Sequence, residues 1–134
     1  MHPSTRTINR LDRLRLYDLL FTTPQHGVHQ NAVRELLCWA RAVAPQAVPP
    51  DTVTMNSRVR LVNLTTGCAV SRTLMYPYDA SASDSGLSVF SALGAALLAA
   101  RVGEEIPWRG TDGTARIVVD GLEYQPESAG HYDR

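Results

Sequence analysis

The residues able to do chemistry are few and scattered. His26 and His29 stand three apart in Thr22-Thr-Pro-Gln-His-Gly-Val-His-Gln30, a spacing at which two imidazoles can share a divalent ion if the segment is helical. That stretch contains no Cys, Asp or Glu to complete a ligand set, so the two histidines read as surface groups available to a partner. Glu104 and Glu105 are adjacent in a strand-like stretch, which sends their carboxylates to opposite faces instead of into an acid/base pair. Asp112 and Asp120 each precede a glycine and read as turn residues. No nucleophile elbow, phosphate loop, H-E-x-x-H or C-x-x-C element occurs. The chain is therefore expected not to be an enzyme, with no catalytic residue, no cofactor and no metal.

Composition points the same way. All 13 basic residues are arginine, and 13 acids balance them. Six of the arginines face only Asp12, Asp18 and Glu35 in residues 1–50, which makes a mild dipole able to orient an encounter with a partner. It is far from the dense basic patch of a nucleic-acid binder, so no sequence-specific nucleic-acid contact is expected. Cys38 and Cys68 read as reduced thiols. Arg6, Arg10, Asp12, Arg13 and Arg15 interrupt any leader-like apolar stretch, and no run of about 18 apolar residues exists, so a soluble cytoplasmic protein without membrane contact is expected.

What must position these residues is a helical pair followed by a β-rich body. Residues 1–7 are polar and read as frayed or as a short leading strand. Asn9 can cap a helix, with Asp12 in the capping-box position and Ile8 as the staple. Leu11, Leu14, Leu16, Tyr17, Leu19, Leu20 and Phe21 then cover too much circumference for one seam, so this helix must touch the body or a second chain as well as its mate. Pro24 and Gly27 stop it, Gly27 by a backbone conformation that a side chain would resist. Val33, Leu36, Leu37, Ala40, Val43 and Ala44 continue as a second amphipathic helix. Pro45, Pro49 and Pro50 mark the boundary, dividing the chain into an arm at 1–48 and a body at 49–134.

Past that boundary the period shortens to two. Thr52 to Leu64 and Cys68 to Tyr76 read as strands joined by Thr65-Thr66-Gly67, with Arg58, Arg60 and Arg72 on the wet face and Val59, Leu61 and Leu74 opposite. Leu87 to Phe90 reads as a short strand and Ser91 as the cap of a helix through Leu93, Ala96, Leu97 and Ala100, closed by Gly103. Gly94 allows close packing in that helix. Ile106 to Trp108 and Ala115 to Leu122 pair across Asp112-Gly113. Trp39 and Trp108 fit either an interface or the core.

Four ordered stretches carry a family resemblance: Asp51-Thr-Val-Thr-Met-Asn-Ser-Arg-Val-Arg60; Thr73-Leu-Met-Tyr-Pro77; Leu87-Ser-Val-Phe-Ser-Ala-Leu-Gly-Ala-Ala-Leu-Leu98 with Arg101-Val-Gly-Glu104; and Leu122-Glu-Tyr-Gln-Pro-Glu127. Together they resemble the bacterial Gre transcript-cleavage factor superfamily over nearly all of the chain from Ile8. The resemblance implies an α+β fold: a short antiparallel coiled-coil hairpin followed by an FKBP-like β-sheet domain with one packed helix. It implies core RNA polymerase as partner, with the body at the rim of the secondary channel and the arm entering it. Guided by it, Met55, Asn56, Ser57, Ser91, Leu93 and Gly94 are expected to contribute to body docking or to the surface beside it, and Gln25, His26 and His29 to make polar contacts at the arm tip.

In Gre factors acidic tip residues help hold a metal ion and water at the polymerase active centre. Here Thr23-Pro-Gln-His-Gly-Val-His29 contains no acid, and the arm is only about 20 Å long at 1.5 Å per residue. The expected role is a competitor for the docking site that does not stimulate cleavage. The alternatives are a cleavage-stimulating Gre-like factor and a polymerase-independent interaction protein in nucleotide metabolism. Prolyl isomerase activity is not expected from the FKBP-like architecture, because the aromatics of residues 51–134 form no recognisable pocket pattern.

Overall fold

The computed structural model describes residues 6–22, 27–110 and 113–131. Strand β1 (Thr7–Asn9) leads into helix α1 (Arg10–Thr22), and helix α2 (Val28–Trp39) leads into strand β2 (Arg41–Val43). β1 and β2 pair in parallel, Ile8 opposite Ala42, with the Arg41 amide donating to the Arg6 carbonyl at 2.9 Å. Parallel neighbours need a long crossover, and the two helices are that crossover. The second helix therefore stops at Trp39 instead of continuing to Ala44: Ala40 turns extended, at φ −67° and ψ 148°, to enter the pairing. Short-range periodicity cannot show a strand partner that lies on the far side of two helices.

Helix α1 is capped as expected by Asn9, whose Oδ1 accepts from the Leu11 amide at 2.8 Å. Asp12 does not join that cap, because its carboxylate turns inward to the Met55 amide. Gly27 is extended at φ −79°, so the conformational argument for it fails. Gly27 instead caps α2, its amide donating to Gln30 Oε1 at 3.0 Å.

The body is a five-stranded sheet in the order β5-β4-β3-β7-β6, built from β3 (Arg58–Asn63), β4 (Ala69–Met75), β5 (Gly86–Ser88), β6 (Glu105–Gly110) and β7 (Gly113–Tyr124). The β3–β4 hairpin turns where expected. Asn63 Oδ1 accepts from the Thr65 and Thr66 amides at 2.9 and 3.2 Å, and Gly67 takes the left-handed conformation at φ +78°. Residues 52–57 are not strand but an irregular segment tied by Thr54 and Ser57. Pro107 lies in β6, an edge strand where a missing amide donor is tolerated.

On the wet face Arg58 pairs with Glu123 and Arg60 with Asp120, both at 3.1 Å. Arg72 is not on that face. It stands directly opposite Val59, and residues two apart on a strand share a face, so Arg72 lies on the Leu74 side. Helix α4 (Ala92–Leu97) is shorter than its apolar pattern, ending before Ala99, which has φ +67°. Gly103 is therefore not its cap. A four-residue helix α3 (Pro77–Ala80) follows β4.

Leu16, Leu20, Val33, Leu36 and Leu37 from the helical pair join Val53, Met55, Val59, Leu61, Leu74, Leu97 and Val119 in one core. The expectation that α1 needs more than its mate is met on one side by the body. On the other side Leu14 and Phe21 stay exposed, Phe21 at 91%. Cys38 and Cys68 are free and exposed.

Candidate docking surface

The residues expected at the surface separate into three places. Gln25 and His26 lie outside the described residues. His29 sits half-buried in the first turn of α2, and no cluster able to hold a metal ion occurs among the described residues. Phe21 and Val28, both strongly exposed, flank the same connection. Apolar residues, as much as polar ones, therefore border the arm tip.

The 55–57 segment divides sharply. Met55 is 1% exposed and Ser57 is fully buried, so both shape this segment from beneath instead of presenting a side chain at its surface. Met55 fills the core, while Ser57 Oγ accepts from the Thr54 amide at 3.0 Å. Asn56 alone faces outward, at φ +67°, a left-handed conformation that asparagine tolerates better than most residues. It lines an open groove with Arg58, Thr73, Met75 and Tyr124.

The 88–94 turn is built tightly. Ser91 caps α4, its Oγ accepting from the Gly94 amide at 3.1 Å and donating to the Ser88 carbonyl at 2.6 Å. A Cβ on Gly94 would stand 1.9 Å from the Ser88 oxygen, so close packing is why glycine is there. Gly94 is buried and Leu93 half-buried against the core, so both support the turn. Among the described residues no hydrogen bond joins His29, the 55–57 segment and the 91–94 turn.

The sequence reading missed the polar junction between helices and body. Glu127, 6% exposed, accepts from Asn9 Nδ2 at 2.5 Å and from Thr54 Oγ1 at 2.7 Å. Asp12, 1% exposed, accepts the Met55 amide at 3.1 Å through Oδ2, while its Oδ1 has no partner. Burial, with the nearby Glu127 charge, pushes the Asp12 carboxyl up to about 7, against the opposing pull of the Met55 amide and Arg15. Tyr76 is also buried with an unpartnered hydroxyl, and burial together with the Asp12 charge raises it well above the usual phenol range. Arg6 adds a pin, donating to the Ala99 carbonyl at 2.9 Å and to Glu104 at 2.5 Å. A signal existed: Asp12, Leu16 and Leu20 fall four apart on one helix face, so an inward-facing leucine stripe carries an acid at its start.

Among the described residues the junction contacts fix two helices against a sheet. Residues 48–124 match the family model for the C-terminal part of the transcription elongation factors GreA and GreB. The chain is 42% identical over 135 residues to proteins named regulator of nucleoside diphosphate kinase from Escherichia coli K12 and Shigella flexneri, covering 98% of this chain and 98% of each relative. Among solved structures, a prokaryotic transcription elongation factor GreA/GreB from Nitrosomonas europaea superposes with a TM-score of 0.80 at 32% identity, covering 92% of this chain and all of that one. Gfh1 of Thermus aquaticus gives a TM-score of 0.52 at 16% identity over 91% of this chain and all of its own, a likeness of fold alone. These relatives are named as regulators and transcription factors. With its N-terminal helices, its C-terminal β domain and these matches, the chain belongs to the GreA/GreB family of transcription elongation factors.

Proposed function

We propose that this chain docks on core RNA polymerase beside the secondary channel and competes there with Gre-type factors without stimulating transcript cleavage. The carrying observation is a family body joined to a helical pair whose connection has no carboxylate. Helices α1 and α2 are 13 and 12 residues long, about 20 Å at 1.5 Å per residue. Residues 22–30 supply no hard anionic oxygen for a second magnesium ion. A partner therefore meets a short probe and a rigid body, and occupancy is the action available to them.

Asn56 at its groove and the Ser91 turn at the start of α4, both half-buried, are the groups on the body that this reading assigns to docking, with His29, Gln25 and His26 on the connection between the helices. The arm at 1–48 and the body at 49–134 act as one unit in this reading, since they share a core.

The test is a backtracked elongation complex of bacterial polymerase. This protein alone should release no short RNA, and in excess it should slow the cleavage stimulated by a Gre factor. A burst of short RNA on its addition would overturn the reading in favour of a cleavage factor. The name of the relatives supports a second reading, in which the protein acts on nucleoside diphosphate kinase without polymerase. Failure to bind core polymerase where a Gre factor binds would favour that one.

A further inference from the structure

We propose that the junction of α1 with the body is a proton-operated clamp: one proton held at Asp12 locks the helical pair on the sheet, and its loss loosens the pair. This concerns the free chain and stands whether or not polymerase is the partner.

Four segments meet at this point. Asp12 comes from α1, Asn9 from the end of β1, Thr54 to Ser57 from the segment before β3, and Glu127 from the stretch after β7. Glu127 is satisfied at both oxygens, which accept from Asn9 and Thr54. Asp12 is built otherwise. One of its oxygens accepts a single backbone amide and the other makes no hydrogen bond.

An ionised carboxylate can only accept, so an unpartnered buried Oδ1 carries the full cost of its lost water. A protonated Oδ1 carries no charge and becomes a donor. The groups around it pull both ways. Glu127 contributes a second negative charge and favours the proton, whereas Arg15 on α1, the cation acting on both Asp12 and the buried Tyr76 of the β4–α3 corner, opposes it. Thr54, Ser57 and the Met55 amide are neutral. Burial and Glu127 together outweigh Arg15 and the amide, and bring the carboxyl up to about 7, where a modest change of pH moves the proton. When the proton leaves, two anions share a dry junction, and the least costly relief is for α1 to move out and admit water.

The native cysteines report on this directly, since both are exposed and free, Cys38 on α2 and Cys68 at the β3–β4 turn. Spin labels on the two in the full chain should give a narrow distance distribution at about pH 5.5 and a broadened or two-peaked one at about pH 8.5, while Asp12→Asn should stay narrow at both. A wild-type distribution identical at the two pH values, or an Asp12→Asn variant that broadens like wild type, overturns the clamp. Should the variant fail to fold, the wild-type Asp12 carboxyl carbon followed by NMR decides. A midpoint near 7 supports the proposal, and one in the usual carboxylate range overturns it.

Discussion

Replacing Gly94 by alanine isolates one close approach in the body. Helix α4 normally gains about 1 kcal/mol from such a change, because alanine is the better helix former. Here the new Cβ would lie 1.9 Å from the Ser88 oxygen, 2.8 Å from its carbonyl carbon and 2.9 Å from Ser91 Oγ. The two nearest of these atoms are backbone, so no rotamer relieves them, and the helix or strand must shift by about 1 Å or more to restore normal contact. Either movement breaks something. Ser88 is held in β5 by parallel pairing to Met75, and Ser91 holds both the Ser88 carbonyl and the Gly94 amide. Overpacking costs about 1–3 kcal/mol and the lost cap about 1 kcal/mol, so the net effect after the helix gain is about 2 kcal/mol destabilising. Urea unfolding followed by circular dichroism measures it, with Gly121→Ala as control. No atom lies within 4 Å of a Cβ on Gly121, so that variant should stay within about 0.5 kcal/mol of wild type. A Gly94→Ala protein as stable as wild type would refute the packing argument.

Asp12 has a folded-state pKa of about 7 against an ordinary 3.8, so its share of the stability is complete below about pH 4, falls as pH rises, and is gone above about pH 7. The loss is on the order of 4 kcal/mol at 1.36 kcal/mol per pH unit, and Asp12→Asn should flatten that part of the curve in urea melts across pH. Glu127→Gln replaces a carboxyl acceptor by a neutral amide and weakens the bonds from Asn9 Nδ2 and Thr54 Oγ1. A loss of about 2 kcal/mol is expected, with the Asp12 carboxyl midpoint moving down on NMR titration as a negative neighbour is removed. Gly67→Ala must adopt φ +78° and should cost about 1 kcal/mol by thermal denaturation. Breaking the exposed Arg60–Asp120 pair with Arg60→Ala should change stability by less than about 1 kcal/mol in the same assay.

The features legible in sequence were those whose causes lie within a few residues. Asn63-Leu-Thr-Thr-Gly67 specifies its own turn, since one asparagine side chain and one glycine supply the reversal. Ser91 and Gly94 declare a cap and a close approach three residues apart. Period-two alternation in 58–61 placed Val59 and Leu61 inside and Arg58 and Arg60 outside. The candidate site residues show the same division. Family motifs marked 55–57 and 91–94, yet which side chain of each faces outward depends on what packs against it.

What only the tertiary structure decided involves partners remote in the chain. Arg41 to Val43 became strand, not helix, because the Arg6 carbonyl waits beside it. Met55 became core and Asp12 a junction residue because α1 lies across the 54–57 segment, 43 positions away. Glu127 meets Asn9 across 118 positions. The sequence by itself determined the β3–β4 turn, the Ser91 cap, the two periodicities and the family. The fold alone decided where the buried charge sits, because the burial that raises the Asp12 carboxyl is assembled by segments that no local pattern connects.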